Sequence, residues 1–287
     1  LAGEPELARR VLEGWSPALA PEQRTPEPPA RPELRLTATE LATFSQCPRL
    51  FHLRHVTGAP LAPPAQSFDE AGMSELSGRA QGALVHEALE TMPLRGITPE
   101  IIERQVERVM AGLPEKTRRE AAAALVRVCA REPLSSLAAA PPGAVLREAP
   151  LAWRIVEDDL ELAVHGAADV IWYGGKRWKL ADYKYSRKPE DDRGHLLQLK
   201  IYAGAILASK KLRRLDAWVV YLKEEGGKPA SYVRFLPADR ELVRDQLLTL
   251  ARRLAALDGA PEEQWPLRER EYCGQIECAF MERCHAR

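Results

Sequence analysis

The 287-residue sequence contains no run of about 20 apolar residues of the kind that spans a bilayer. Its beginning also lacks the basic-then-apolar pattern of a secretory leader. A membrane-embedded or exported chain is therefore not expected, and the expected setting is the cytoplasm. The chain has no net charge either, since 41 Lys and Arg balance 41 Asp and Glu. That excludes a global basic field able to gather nucleic acid, so any such binding must be local. Cysteine is scarce and odd in number, five in all, which speaks against a disulfide framework and for metal binding or free thiols. There are no internal repeats. What the chain does have is 45% apolar residues, enough for one large domain or two small ones with a sizeable core.

Organisation changes along the chain. A short helix is expected over 5–15, and the rest of 1–33 is rich in Pro, Glu and Arg, a composition that reads as a linker. The first residue, Leu1, suits a piece of a longer polypeptide. The folded domain is expected over 34–287, announced by the capping box Thr37-Ala-Thr-Glu40 and a helical pattern through Leu41, Phe44, Leu50 and Leu53. A loop is expected over 57–73, a helix over 74–92, and one or two amphipathic helices over 99–131 with a break near Pro114. Short alternating or β-branched segments at 144–156, 160–172 and 177–185, separated by turn residues such as Gly174-Gly175, read as consecutive antiparallel strands. A helix over 192–210, strands near 215–222 and 231–236, and a helix over 240–257 follow. The last 30 or so residues carry three cysteines and little periodicity.

Within the strands lies a pattern that carries chemistry. Asp169 ends the segment Leu160-Glu-Leu-Ala-Val-His-Gly-Ala-Ala-Asp169, and Asp182 and Lys184 lie on the next strand in Ala181-Asp-Tyr-Lys184. Strand side chains alternate, so Asp182 and Lys184 share a face, and a hairpin through Gly174-Gly175 brings Asp169 alongside. Two carboxylates hold a hard divalent cation such as Mg2+ (or Mn2+), and an ammonium group beside them can orient a water or offset charge on a phosphate. The plainer alternative is the polar face of an amphipathic strand. His165 would lie roughly 13 Å from Asp169 along a regular strand, too far to share its ion.

Gly166-x-x-Asp169, then Asp182-Tyr-Lys184, then Gln198 and Tyr202 four apart on a helix, resembles the RecB-like branch of the PD-(D/E)XK nucleases. That branch also has an upstream helical element matched here by Gly82, His86, Leu89 and Glu90. The resemblance implies an α/β fold with a central mixed sheet flanked by helices, a helical N-terminal part packed over one sheet edge, and a Cys-rich C-terminal tail. It further implies that His86, Asp169 and Asp182 bind the metal, that Lys184 is the catalytic lysine, and that Gln198 and Tyr202 lie near the DNA. Glu148 is a candidate acidic residue of the first core strand, with a solvated strand-end charge as the alternative.

Cys47 precedes this core, and Cys273, Cys278 and Cys284 follow it. Four thiolates from opposite ends of the domain can close around one soft-ligand centre. The arrangement resembles the iron-sulfur staple of AddB-type nucleases and of CRISPR adaptation nucleases, implying a [4Fe-4S] cluster, although four residues rather than two separate Cys273 and Cys278. Zn2+, with His285 as a substitute ligand, and scattered free thiols are the alternatives. Cys129, in an Ala/Val/Leu-rich stretch, reads as a small buried hydrophobe.

The family resemblance implies a DNA substrate, sequence-independent cutting of single-stranded ends in repair or recombination, and a superfamily-1 helicase in the same polypeptide or complex. Arg49, Arg54, Lys184, Arg187, Lys188 and Arg193 are candidates for following a phosphate backbone, or else form a solvated face. A catalytically weak, iron-sulfur-stapled scaffold for DNA or a partner subunit is the competing reading.

Overall fold

The computed structural model describes residues 32–60, 78–93, 96–141, 143–225, 229–276 and 278–286. The expected helix over 5–15, nearly all of the expected linker and most of the loop over 57–73 lie outside these residues.

The chain enters through a strand, β1 (Glu33–Thr37), that was not foreseen. Its alternation of Leu34 and Leu36 is legible but brief, and it follows a Pro-rich stretch. Thr37 then caps α1 (Ala38–Gln46): the Glu40 amide donates to Thr37 Oγ1 at 3.0 Å, and the Glu40 carboxylate accepts from the Thr37 amide at 2.6 Å. A one-turn helix α2 (Pro48–Phe51) and a π-helical turn (His52–Val56) follow. Next come four helices, α3 (Gly78–Thr91), α4 (Pro99–Val109), α5 (Glu115–Cys129) and the short α6 (Leu134–Ala138). The break near Pro114 falls where Pro114 serves as the N-cap of α5.

Strands β2 (Val145–Val156), β3 (Glu161–Gly174) and β4 (Arg177–Lys184) form an antiparallel meander. Helix α7 (Arg193–Ser209) carries the chain back so that β5 (Leu215–Tyr221) lies parallel to β4, and β6 (Ala230–Phe235) pairs antiparallel with β5. Helix α8 (Asp239–Ala255) precedes a 3-10 turn (Glu262–Gln264) and two short helices, α9 (Arg270–Gln275) and α10 (Met281–His285). The sheet is mixed, in the order β1-β3-β4-β5-β6, with β2 along the other edge of β3.

Two cores cover the two faces. On one, α1, α7 and α8 pack over Leu162, Val164, Leu180, Ala217 and Val219. On the other, α3 to α6 pack over Val170, Trp172, Ala181, Tyr183 and Val220. Helices α3 to α6 of the first half thus cover a face of the sheet rather than an edge, while α1 of the same half lies on the opposite face.

Two details of β3 set up the site. On one edge it pairs parallel with β1 as far as His165, and then antiparallel with β4 only from Val170. Residues 166–169 lie in the fork between these partners. On the other edge, the β2 ladder runs through Arg147↔Val170 and Ala149↔Ala168 but skips the rung between them, where Glu148 faces Asp169. Alternation changes phase there in both strands. Ala149, Leu151 and Trp153 face the first core, yet Leu146 does too; Ala168 faces the first core, whereas Val170 faces the second. Each strand spends one residue on the change, and Glu148 absorbs it with φ of +44°, a region that side chains other than Gly, Asn and Asp rarely occupy.

Candidate active site

The skipped rung is where ligating side chains gather. Among the described residues, His86, Glu148 and Asp169 each offer a donor atom, and those atoms all lie within 4.8 Å of one another. His86 comes from α3, with its Nδ1 3.4 Å from Asp169 Oδ1. Asp169 is further fixed by the backbone amide of Tyr183 on β4, which donates to its Oδ2. Arg147, the neighbour of Glu148, holds α3 in place by donating to the carbonyls of Glu90 and Met92 at the helix end, the latter at 2.6 Å. A cation there meets the negative end of the helix dipole.

The electrostatics of the set favours positive charge. Burial would lower the His86 pKa, but the hydrogen bond and charge of Asp169 outweigh it and raise the imidazole above its ordinary value. Glu148 is exposed as a residue, but partial burial of its carboxyl and then the charges of Asp169 and Glu90 push it up. A cation among these groups would reverse that repulsion.

Asp182 and Lys184 stand beside this set on β4. Asp182 is 2% exposed, and burial drives its carboxyl above the usual carboxylate range against the opposing pull of Lys184. Its Oδ2 lies 2.6 Å from Lys184 Nζ, yet it has no partner in hydrogen-bonding geometry. We read the pair as a close ion contact at a poor angle, so the buried oxygen retains a free lone pair. Asp182 is not within the 4.8 Å set, and its link to Asp169 is through charge. Both the buried lone pair and the crowded carboxylates suit a divalent cation.

Lys184 is held from a second side. Its Nζ donates to Gln198 Oε1 at 2.9 Å, and Gln198 Nε2 donates to Tyr202 OH at 2.9 Å. Thr39 Oγ1, at the start of α1, lies 3.5 Å from the same Gln198 nitrogen; it was not picked out from the sequence, where a helix-start threonine carries no distinguishing signal. Gly166 explains its own place in the motif. A Cβ there would lie 2.9 Å from Tyr202 Cε1 and 3.1 Å from its hydroxyl, so only glycine lets the tyrosine ring lie against β3. His165 is exposed, opposite Thr37 and Ala152, and outside the set.

The tail returns to the N-terminal helices. Arg49 Nε donates to the Trp265 carbonyl at 3.0 Å, Arg268 Nε donates to the Gln46 carbonyl at 2.8 Å, and Trp265 packs against Phe44, Phe51 and His52. These contacts bring Cys47, Cys273, Cys278 and Cys284 together. The Cys273 thiol is pushed up to about 11 by burial and by the other three cysteines. Cys273 Sγ is 3.7 Å from His285 Nε2. No three of the four sulfurs fall within 4.8 Å of one another, whereas four thiolates around one zinc would be about 3.8 Å apart. Cys129 sits apart on α5, half-buried, and burial raises it to about 11.

Among the described residues, no helix is long and apolar enough to cross a membrane. Residues 35–285 match the family described as the PD-(D/E)XK nuclease superfamily. Comparison with curated protein sequences gave no match. Two solved structures align with this chain. The protein SSO0001 is 14% identical, with 98% of this chain and 94% of that one covered and a TM-score of 0.42. A protein of Eubacterium rectale, provisionally named an exonuclease, is 9% identical, with 77% and 81% covered and a TM-score of 0.41.

Proposed function

We propose that this chain, which belongs to the PD-(D/E)XK nuclease superfamily, cuts the DNA backbone at the site formed by His86, Glu148, Asp169, Asp182 and Lys184. The observation that carries the reading is the placement of Lys184, paired with a buried carboxylate and tethered by Gln198, beside a three-donor set of imidazole and carboxylates.

In this reading, His86, Glu148, Asp169 and Asp182 hold Mg2+ or Mn2+, and the cation supplies phosphate neutralisation and activation of water. Lys184 orients the attacking water and offsets the charge that grows on the phosphate. Gln198 keeps Nζ in place by accepting one of its protons, and Tyr202 in turn fixes Gln198. Arg147 keeps the His86 helix docked on the rung that bears Glu148 and Asp169.

Sequence-independent cutting, single-stranded ends as the substrate and the exonuclease mode are assigned by family resemblance. By the same resemblance, the four cysteines would hold a [4Fe-4S] cluster that staples the tail to α1 and α2, with zinc and His285, 3.7 Å from Cys273, as the alternative. A superfamily-1 helicase in the same polypeptide or complex delivers the strand, with repair or recombination as the setting.

The test compares linear and circular single-stranded DNA, and linear duplex, as labelled substrates in Mg2+. Degradation of linear single strands with circular ones spared supports this reading. Cutting of circles makes the enzyme an endonuclease. A chain that binds DNA and leaves all three intact, even with a helicase supplied, is the iron-sulfur scaffold instead.

A further inference from the structure

A cavity of about 260 Å3 lies next to the proposed catalytic face, between α1–α2, the loop after β4, the start of α7 and the cysteine tail. Gln46, Arg54, His195 and Asp191, the last paired with Arg193, supply polar walls, Leu50, Ile276 and Phe280 supply apolar ones, and Cys278 borders it on the tail side. His195 connects it to the site. It precedes Gln198 by three positions and Tyr202 by seven on α7, so the three share a helix face, and the charge of Lys184 is felt at its imidazole.

The walls are built rather than incidental. His195 Nδ1 is 3.3 Å from Tyr221 OH, which donates to Asp192 at 3.4 Å, and Ser231 donates to the same carboxylate at 2.8 Å. Gln46 lies against Gly194, where a Cβ would come within 2.4 Å of its Nε2, so a larger residue at 194 would push the amide from its present place. The Gln46 carbonyl is held by Arg268. Burial keeps His195 neutral, with a pKa lowered to about 4, so it is a hydrogen-bonding group rather than a phosphate-binding cation.

We infer that this cavity receives one nucleobase of the substrate strand, beside the position where its backbone is cut. Its volume suits a single planar ring system, its apolar walls offer stacking and packing, and its amide and imidazole offer in-plane hydrogen bonds to a base edge. An unpaired strand can turn a base into it, whereas a duplex must first unstack and unpair one. The cavity thus gives a physical reason for a single-strand preference. The inference rests on the reading of the site as a DNA nuclease.

The test is binding, which does not require cutting. Fluorescence anisotropy in Ca2+ compares a short oligothymidylate with a strand of equal length made of abasic residues, for the wild type, His195→Ala and Ile276→Trp. The wild type should prefer the base-bearing strand by at least about fivefold, the low end of what one stacked base contributes. Both variants should lose that preference while holding the abasic strand unchanged. If Ile276→Trp fails to fold, His195→Ala decides alone. A wild type with no preference, or variants that keep it, overturns the inference. A wild type that never cleaves in Mg2+ yet shows the base preference, lost in both variants, would count against the nuclease reading and leave base binding in this cavity standing.

Discussion

Glu148 faces Asp169 across the β2–β3 ladder at the rung the ladder skips, and its φ of +44° turns the carboxylate into the same small space as His86 and Asp169. A strained backbone held at a cluster of ligating groups is a device for aiming one of them. Glu148→Gly should therefore keep or slightly raise stability, since glycine adopts this conformation freely, while removing a ligand. We expect cleavage to fall at least about tenfold, the low end of the loss seen when even an outer partner of a metal ligand is removed. Thermal melting alongside Mn2+-dependent rates checks both halves. Unchanged rates would make Glu148 a solvated charge.

Gly166→Ala places a methyl group 2.9 Å from the buried Tyr202 ring. The ring cannot yield without breaking its bond to Gln198, which in turn holds Lys184. Overpacking of this kind costs about 1–3 kcal/mol, to be read from denaturant midpoints. Cleavage should fall as well, through the displaced lysine.

His195 gives a pH signature. Its pKa is lowered to about 4 in the folded chain, by burial and then by Lys184, against about 6.5 when unfolded. The unfolded chain therefore binds the extra proton between these values. The full stability is present above about pH 6.5 and declines as pH falls towards 4, by about 2–3 kcal/mol from this group. His195→Gln should flatten that part of the stability profile relative to wild type. Parallel profiles would contradict the assignment.

Much of this was legible because it is local. The capping box at Thr37, the Asp182-Tyr-Lys184 alternation and the Gln198/Tyr202 helical spacing each depend on a few consecutive residues. Other features depend on distant ones. The phase change at Glu148 is set by packing two cores on opposite faces, and a strict alternation rule would have sent its side chain elsewhere. β1 is only five residues long and gains its meaning from a parallel partner more than 120 positions on. Spacing alone puts Asp182 and Lys184 on one face; that Asp182 is buried and lies 2.6 Å from the Lys184 ammonium depends on the packing around β4.

Cys47→Ser and Cys284→Ser should each remove iron and acid-labile sulfide from protein purified without oxygen, and lower the melting temperature. The loss follows from metal-derived folding free energy. The Arg49 and Arg268 contacts to the tail should keep the domain from unfolding outright. Zinc, one per chain and no sulfide, would replace the cluster with the alternative centre.

The central claim is that Lys184, poised between Asp182 and Gln198, acts at a metal-bound phosphate. Single-turnover cleavage of labelled single-stranded DNA by wild type and Lys184→Gln, with Mn2+ binding and circular dichroism measured on both, tests it most directly. The account predicts cutting that needs the metal and falls at least about a hundredfold in the variant, with fold and Mn2+ affinity retained. A folded, metal-binding Lys184→Gln that cuts at the wild-type rate would contradict it.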